Sequence, residues 1–481
     1  MCKIKKIIEL GSCILLSLLY TEGWAQFTSN GLQSLKIVPQ QTWNNPAFIA
    51  PYNVYIGLPI LSGAHAQLNN NFLAYNRLIE RDINDSLRFN IDKLLNKLEP
   101  KNLIGVDLAV DLLNVGFKVK KNYFSFGANL NVHTDLLLTK NTLNFLGKGP
   151  AANLGNNNLS GNSFDFKGYL SIYLGYARQI NDDLSVGIRL KYLNGLYDFT
   201  TKKMNVHWHV HNGDMEAESN ETPYYYVLNV DGDICTNLPI DSNLKINGFN
   251  PMDNLFKNHG FGVDLGINYT FADNWNVNFS VLDLGFIKWK QGVSNWTSRN
   301  ANIDYKFSGL SKINIGQSSG INIDSMANTL ITEVLDTLGF EYESNKAYTT
   351  PLAATFVLGV GYTLYEKHQF TALFKGINRP HSFQFECGVA YTYTPSKNFA
   401  ISVNNTFKNS SWLNLGIALA GNIGPIQIYL LVDRINSFKV VAMKTLGVQA
   451  GINILLGKQE IYESVRQRKR NDIAAEKNMG Y

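Results

Sequence analysis

The sequence predicts an all-β fold: a transmembrane antiparallel β-barrel of about fourteen strands, with short helices confined to its loops. Three observations lead there. Apolar and polar residues alternate in long runs, tight polar turns alternate with long Asn- and Gly-rich segments, and the composition is that of a wall with two unlike faces.

The alternation is plainest in three stretches. Phe261, Val263, Leu265, Ile267, Tyr269 and Phe271 alternate with Gly262, Asp264, Gly266, Asn268 and Thr270. Leu184, Val186, Ile188, Leu190 and Tyr192 alternate with Ser185, Gly187, Arg189 and Lys191, and Leu446, Val448, Ala450, Ile452, Ile454 and Leu456 repeat the pattern. A period of two over about ten residues exceeds the ~5–6 residues of an ordinary soluble strand. It matches the roughly 9–11 residues that a tilted strand needs to cross a bilayer.

Composition agrees. Of 481 residues, 45% are hydrophobic, 12% aromatic and only 17% charged, and the mean hydropathy is −0.12. Soluble domains carry roughly 25% charged residues, and a helical membrane protein would be far more apolar. Disorder is excluded by the ample apolar content. The 39 Gly show no triplet repeat, and 4 Cys make no disulfide framework. A net charge of +5 implies no strongly charged partner.

Along the chain, Lys3, Lys5 and Lys6, the apolar stretch from Ile14 to Tyr20 and the small residues of Gly23-Trp24-Ala25 read as a signal peptide over residues 1–25. The rival, a lipoprotein cut at Cys13, fails because the apolar stretch follows that cysteine. The mature chain would begin at Gln26, keep only Cys235 and Cys387, and reside in the outer membrane of a Gram-negative bacterium. Residues 26–50 form a periplasmic or plug-like segment, 51–457 the barrel and 458–481 a charged periplasmic tail.

The expected strands are 53–68, 103–120, 123–134, 164–179, 184–199, 260–271, 275–291, 349–365, 368–377, 383–394, 399–407, 412–421, 426–434 and 443–456. Their number is even and every tight turn falls on one side, as bacterial barrels require. The window 412–432 lacks any charge and could pass for a transmembrane helix. Asn414, Asn422, Pro425 and Gln427 interrupt it and its apolar residues alternate, so it reads as a hairpin. Residues 86–98 and 325–338 have helical spacing, and 204–211 with 224–230 form a hairpin extending a loop. Trp275, Trp289, Trp412, Tyr365 and Tyr393 are expected in the interfacial girdles.

Few constellations suggest chemistry. Gly316-Gln317-Ser318-Ser319-Gly320 fits a nucleophile elbow but lies in a polar loop, without the strand-to-helix setting that chemistry needs. His207, His209 and His211 share one face of an extended segment and could bind Zn²⁺ or Cu²⁺, or form an ordinary polar face. Arg189, Lys191 and Asp264 oppose the lipid-facing residues of their strands and should enter the lumen, as a salt-bridged filling or as solute-selecting charges. The basic run from Arg466 to Arg470 reads as a solvated tail, since export contradicts nucleic-acid binding. No catalytic set and no cofactor motif is present, so no enzymatic activity and no cofactor are expected.

Several stretches resemble an uncharacterised outer-membrane family of Bacteroidota, a domain-of-unknown-function family with a barrel like those of FadL and PorV. They are Leu94 to Leu98, Asp111 to Phe117, Lys121 to Phe124, Gly187 to Tyr192 and, most specifically, Leu282-Asp283-Leu284-Gly285-Phe286-Ile287-Lys288-Trp289. Asn45-Pro46-Ala47 is similar to the turn that opens FadL-type barrels. The resemblance implies fourteen strands and one of two roles. The first is passive transport of a small apolar solute. The second is a PorV-like scaffold, or type IX secretion accessory, that binds protein partners.

Overall fold

The computed structural model describes residues 30–81, 87–149, 152–212, 224–240, 248, 250–272, 274–298, 303–305, 340–379, 381–407, 412–436 and 444–458. Residues 1–25, read above as a signal peptide, Gly316 to Gly320, residues 325–338 and the run from Arg466 to Arg470 lie outside them.

In lipid no water satisfies backbone N–H and C=O groups, so a spanning sheet must close on itself. Fourteen antiparallel strands do so here. They are β1 (Tyr52–Gly57, continued by Ala64–Asn70), β2 (Lys101–Val119), β3 (Asn122–Thr139), β4 (Ser163–Gln179), β5 (Leu184–Asn212), β6 (Asn258–Phe271) and β7 (Trp275–Trp289). The second half comprises β8 (Ala354–Leu364, preceded along β7 by Tyr348–Pro351), β9 (His368–Arg379), β10 (Ser382–Ser396), β11 (Phe399–Phe407), β12 (Leu415–Ile423), β13 (Ile426–Ile435) and β14 (Leu446–Lys458). β14 pairs with both halves of β1, which closes the wall.

Tight turns connect the strands at the end where β1 begins. Tyr365 and Glu366 both adopt positive φ in the three-residue connection between β8 and β9, and Gly424 (φ 59°) turns β12 into β13. The charge-free window at 412–432 is therefore a hairpin, and among the described residues no helix is long and apolar enough to cross a membrane. The opposite end carries the long connections, although β9 and β10 are joined tightly there too.

The outward faces bear an apolar belt that includes Val186, Ile188, Leu190, Leu265, Ile267, Ile417, Ile428 and Leu430. The inward faces are Asn-, Gln-, Ser- and Thr-rich. Leu430→Arg, in the middle of β13, is expected to cost about 2–4 kcal/mol if lipid covers it. Urea unfolding in vesicles measures this; a loss under about 0.5 kcal/mol would mean that lipid does not reach this face.

Tyr365, Trp412, Trp275 and Tyr393 are exposed on the outer surface, whereas Trp289 is not in the girdle. It is fully buried inside, donating from Nε1 to Thr350 Oγ1 at 2.8 Å. The cause is a β-bulge. Leu282 and Asp283 together oppose Asp264, and Asp283 takes φ 57°. One extra residue reverses which parity faces lipid. Phe279 is outward before the bulge, and Leu284, Phe286 and Lys288 are outward after it.

Beyond the wall, β5 continues to Asn212 and pairs with Tyr224–Thr236, to which Ser294–Ser298 and Ile303–Tyr305 add. Residues 204–211 and 224–230 thus belong to a larger sheet than a lone hairpin. Phe145 of a loop helix, with Leu159, Val210, Val230, Trp208 and Phe340, forms its core. Of the helical region 86–98, only Ile91–Leu95 is helical, capped by Asn90, whose side chain accepts from the Lys93 N–H. Leu87–Phe89 instead pairs with Ile79–Arg81.

Candidate functional site: a plugged lumen

Residues 30–50 lack strand periodicity and are rich in amides and hydroxyls. They fold inside the barrel. A short helix, α1 (Asn30–Ser34), is followed by a 3₁₀ turn at Pro39–Trp43, started by a proline whose missing N–H needs no partner there. Leu32, Leu35, Ile37 and Val38 pack on Ala418, Ala420, Tyr429 and Leu431 of β12 and β13.

The polar groups of this segment meet the polar wall around the circumference. Gln33 Nε2 donates to Asn278 Oδ1 (2.8 Å) on β7, and Ser34 Oγ lies 2.8 Å from Ser402 Oγ on β11. Gln40 Nε2 donates to Asn453 Oδ1 (2.7 Å) on β14, while Gln427 Nε2 of β13 donates to the Ile37 carbonyl (2.9 Å). A buried amide left without a partner would cost about 1–3 kcal/mol, a cost that these wall-to-plug bonds avoid at each pair.

Asn45-Pro46-Ala47 is the tightest contact. Asn45 Oδ1 accepts from the Ala47 N–H (2.8 Å), a side-chain-closed turn, and its Nδ2 donates to the Ile267 carbonyl (3.1 Å). The turn sits in a notch made by two glycines that pair across strands, Gly187 and Gly266. A Cβ at Gly187 would stand 2.2 Å from the Pro46 carbonyl oxygen, and one at Gly266 2.1 Å from Asn45 Oδ1. Ser185 Oγ and Ser280 Oγ donate to the Ala47 and Asn44 carbonyls beside it.

Above the notch, Arg189, Lys191 and Asp264 come together with Asp283. Asp264 is fully buried; Arg189 Nη1 reaches it at 3.2 Å and Lys191 Nζ at 2.9 Å. Lys191 Nζ also lies 2.7 Å from Asp283 Oδ1, and the Asp283 N–H donates to Asp264 Oδ1 (2.8 Å). Arg189 Nη2 donates to the Thr42 carbonyl (2.6 Å) and its guanidinium lies 4.8 Å from the Tyr173 ring centroid, a cation–π contact. The three charges read from alternation are therefore one ion-pair cluster, and it holds the plug as well as the wall. A second inward pair, Arg434 with Glu386 (3.1 Å), also stands on a bulge with positive φ, at Arg434.

Between the plug and the long-loop end lies a cavity of about 170 Å³. Its floor is Leu32, Trp43 and Asn44; aromatic side walls come from Tyr169 and Tyr173. Charge enters through Arg189, Lys191 and Asp283 low down and Asp165 and Lys167 near the mouth. The lining thus joins apolar and aromatic surface to both signs of charge.

Gly285 and Trp289 of the most specific motif lie in the wall beyond the bulge: Gly285 opposes Gly262, and Trp289 packs in a cluster with Leu193, Ile287 and Tyr348. His207, His209 and His211 lie on the outer sheet, away from the lumen. His207 is exposed, His209 Nδ1 is hydrogen-bonded to Asn156, and His211 opposes Tyr225. Their cross-strand neighbours, Asn156, Asn158, Val227 and Asn229, bring no further ligand. Among the described residues no group of three His, Cys, Asp or Glu could hold a metal ion.

Sequence reasoning missed the plug contacts of Gln33, Ser34 and Gln40 and the place of Trp43 in the cavity floor. The available signal was glycine at inward positions, Gly187 and Gly266, since glycine inside a strand marks a close backbone approach.

A family described as a family of unknown function (DUF5723) matches residues 46–433. No curated protein matches. Among solved structures, the toluene transporter TbuX of Ralstonia pickettii is 9% identical, with 91% of this chain and 100% of that chain covered and a TM-score of 0.42. A FadL homologue of Pseudomonas aeruginosa gives the same four values. The translocator domain of the autotransporter NalP from Neisseria meningitidis is 6% identical over 84% of this chain and 88% of its own, with a TM-score of 0.29.

Proposed function

From the premise that this chain belongs to the DUF5723 family of unknown function, we propose that it is an outer-membrane barrel that admits a small amphipathic solute past its own N-terminal plug. The tight-turn end faces the periplasm and the long loops face outward, the orientation usual for such barrels. The observation that carries this reading is the cavity above the plug. An interior needed only for stability would be filled, whereas the outer half keeps a space lined by ring faces and by acidic and basic side chains. Such a lining suits a solute with an apolar or aromatic body and a charged group better than the wholly apolar solute that the resemblance implies.

Passage requires the plug to move, and Ser34 with Ser402 offers a lock. Both serines become cysteines, with Cys2, Cys13, Cys235 and Cys387 replaced by alanine to leave no other thiol. In proteoliposomes, the reduced protein is expected to pass an aromatic sulfonate or an aromatic quaternary ammonium, and the oxidised protein neither. Flux in neither state would remove the transport reading, and equal flux in both would show that passage does not need the plug to move.

The tight seating of the plug and the sheet built on β5 favour a second reading, a closed scaffold whose outer sheet binds a protein. Absence of flux in the reduced protein, with a partner retained on the outer sheet after affinity capture, would support it.

A further inference from the structure

The exterior of one sector departs from the apolar pattern in a way that the lumen does not explain. At the long-loop ends of β6 and β7, Phe261 opposes Phe286 and, one step outward on the same face, His259 opposes Lys288. Lys257 and Lys290 flank these strand ends, one residue before β6 and one after β7. All four polar residues are exposed, and Phe261 and Phe286 are 49% and 48% exposed. On the neighbouring β5, Tyr192 places its hydroxyl 2.6 Å from His259 Nδ1. On the other side Lys288 opposes Thr349, also exposed.

The sector is therefore a ladder two strands wide: aromatic rings facing lipid, then a histidine beside a lysine, then two lysines, where the apolar belt ends. Like charges gathered at one end of two paired strands repel. Among the described residues none of Lys257, Lys288 and Lys290 forms an ion pair. The carboxylate of the preceding turn, Asp253, accepts instead from Asn250 Nδ2 (3.0 Å). By contrast, Lys191 in the lumen and Lys203 and Lys346 outside each pair with a carboxylate. The bulge in β7 creates the cluster: by reversing parity it turns Lys288 outward as it turns Trp289 inward.

We infer that this sector binds an anionic lipid through its phosphate headgroup. The lysine ammonium groups supply charge and donors for the phosphate oxygens. His259, its Nδ1 in hydrogen-bond contact with the Tyr192 hydroxyl, leaves the Nε2 edge of its ring on the same exposed face. Phe261, Phe286 and Tyr192 lie directly below, where the acyl chains of that lipid begin. The assignment rests on the barrel and its belt, not on what the lumen carries.

Thermal unfolding of the full-length protein in neutral detergent, titrated with phosphatidylglycerol or phosphatidylcholine, tests it. Phosphatidylglycerol is expected to raise the midpoint and phosphatidylcholine to leave it unchanged. Replacing Lys257, Lys288 and Lys290 together by glutamine should weaken the phosphatidylglycerol response at least about tenfold, and by arginine should preserve it. Equal responses to the two lipids, or an unaltered response in the glutamine variant, would overturn the proposal. So would an equal shift with inorganic phosphate, which would make this a free-anion site. If the glutamine variant does not fold, the two lipids on the native and arginine proteins still decide.

Discussion

Replacing Gly187 with valine is expected to drive the N-terminal segment out of the lumen while the barrel stays closed. A Cβ there would meet the Pro46 carbonyl oxygen at 2.2 Å and the Ala47 nitrogen at 2.5 Å, both main-chain atoms that cannot rotate away. One side must yield. The wall is held by continuous ladders to β4 and β6, whereas the plug is held by side-chain hydrogen bonds worth about 0.5–1.5 kcal/mol each. Overpacking costs roughly 1–3 kcal/mol per site, and Gly266→Val on the facing strand adds to it. The double variant should show protease cleavage within residues 30–50 and raised solute flux, with the folded barrel band on unheated gels retained. Unchanged cleavage and flux would show that the notch does not seat the plug.

Asp264→Ala should be the most damaging single substitution in the lumen, at about 3–5 kcal/mol. It leaves the Arg189 and Lys191 charges buried side by side, with the Thr42 carbonyl, the Tyr173 ring and Asp283 still beside them, and deprives the Asp283 N–H of its acceptor. Buried ion clusters are costly to break rather than intrinsically strong. Replacing Arg189, Lys191 and Asp264 together by apolar residues of similar size should therefore recover most of the loss. Denaturant midpoints of the single and triple variants measure both effects. A single variant within about 0.5 kcal/mol of the native protein would deny the cluster any structural role.

The strands were legible because lipid imposes one rule on every outward residue. Leu184 to Tyr192 and Leu446 to Leu456 obey it, and each expected strand has its counterpart in the barrel. Trp289 was misplaced because a bulge is set by a residue's φ and its partner strand, neither of which alternation encodes. The helix expected at residues 86–98 shrank because Leu87–Phe89 found a strand partner in Ile79–Arg81, a contact that spacing cannot show.

The lumen was less legible, for a related reason. Asp264 was readable as inward-facing, but not that Asp283 donates to it or that Arg189 reaches the Thr42 carbonyl, since these partners lie far apart in the chain.

By itself, then, the sequence determined a closed transmembrane barrel. Alternation is a local property of the pleated chain, and backbone groups in lipid admit only a sheet without edges. Tertiary structure alone decided what fills that barrel: a plug seated against two facing glycines, an ion cluster on a bulge, and a cavity beyond them. Inward residues face no common solvent; each answers to whichever segment the closure of the wall brings opposite it.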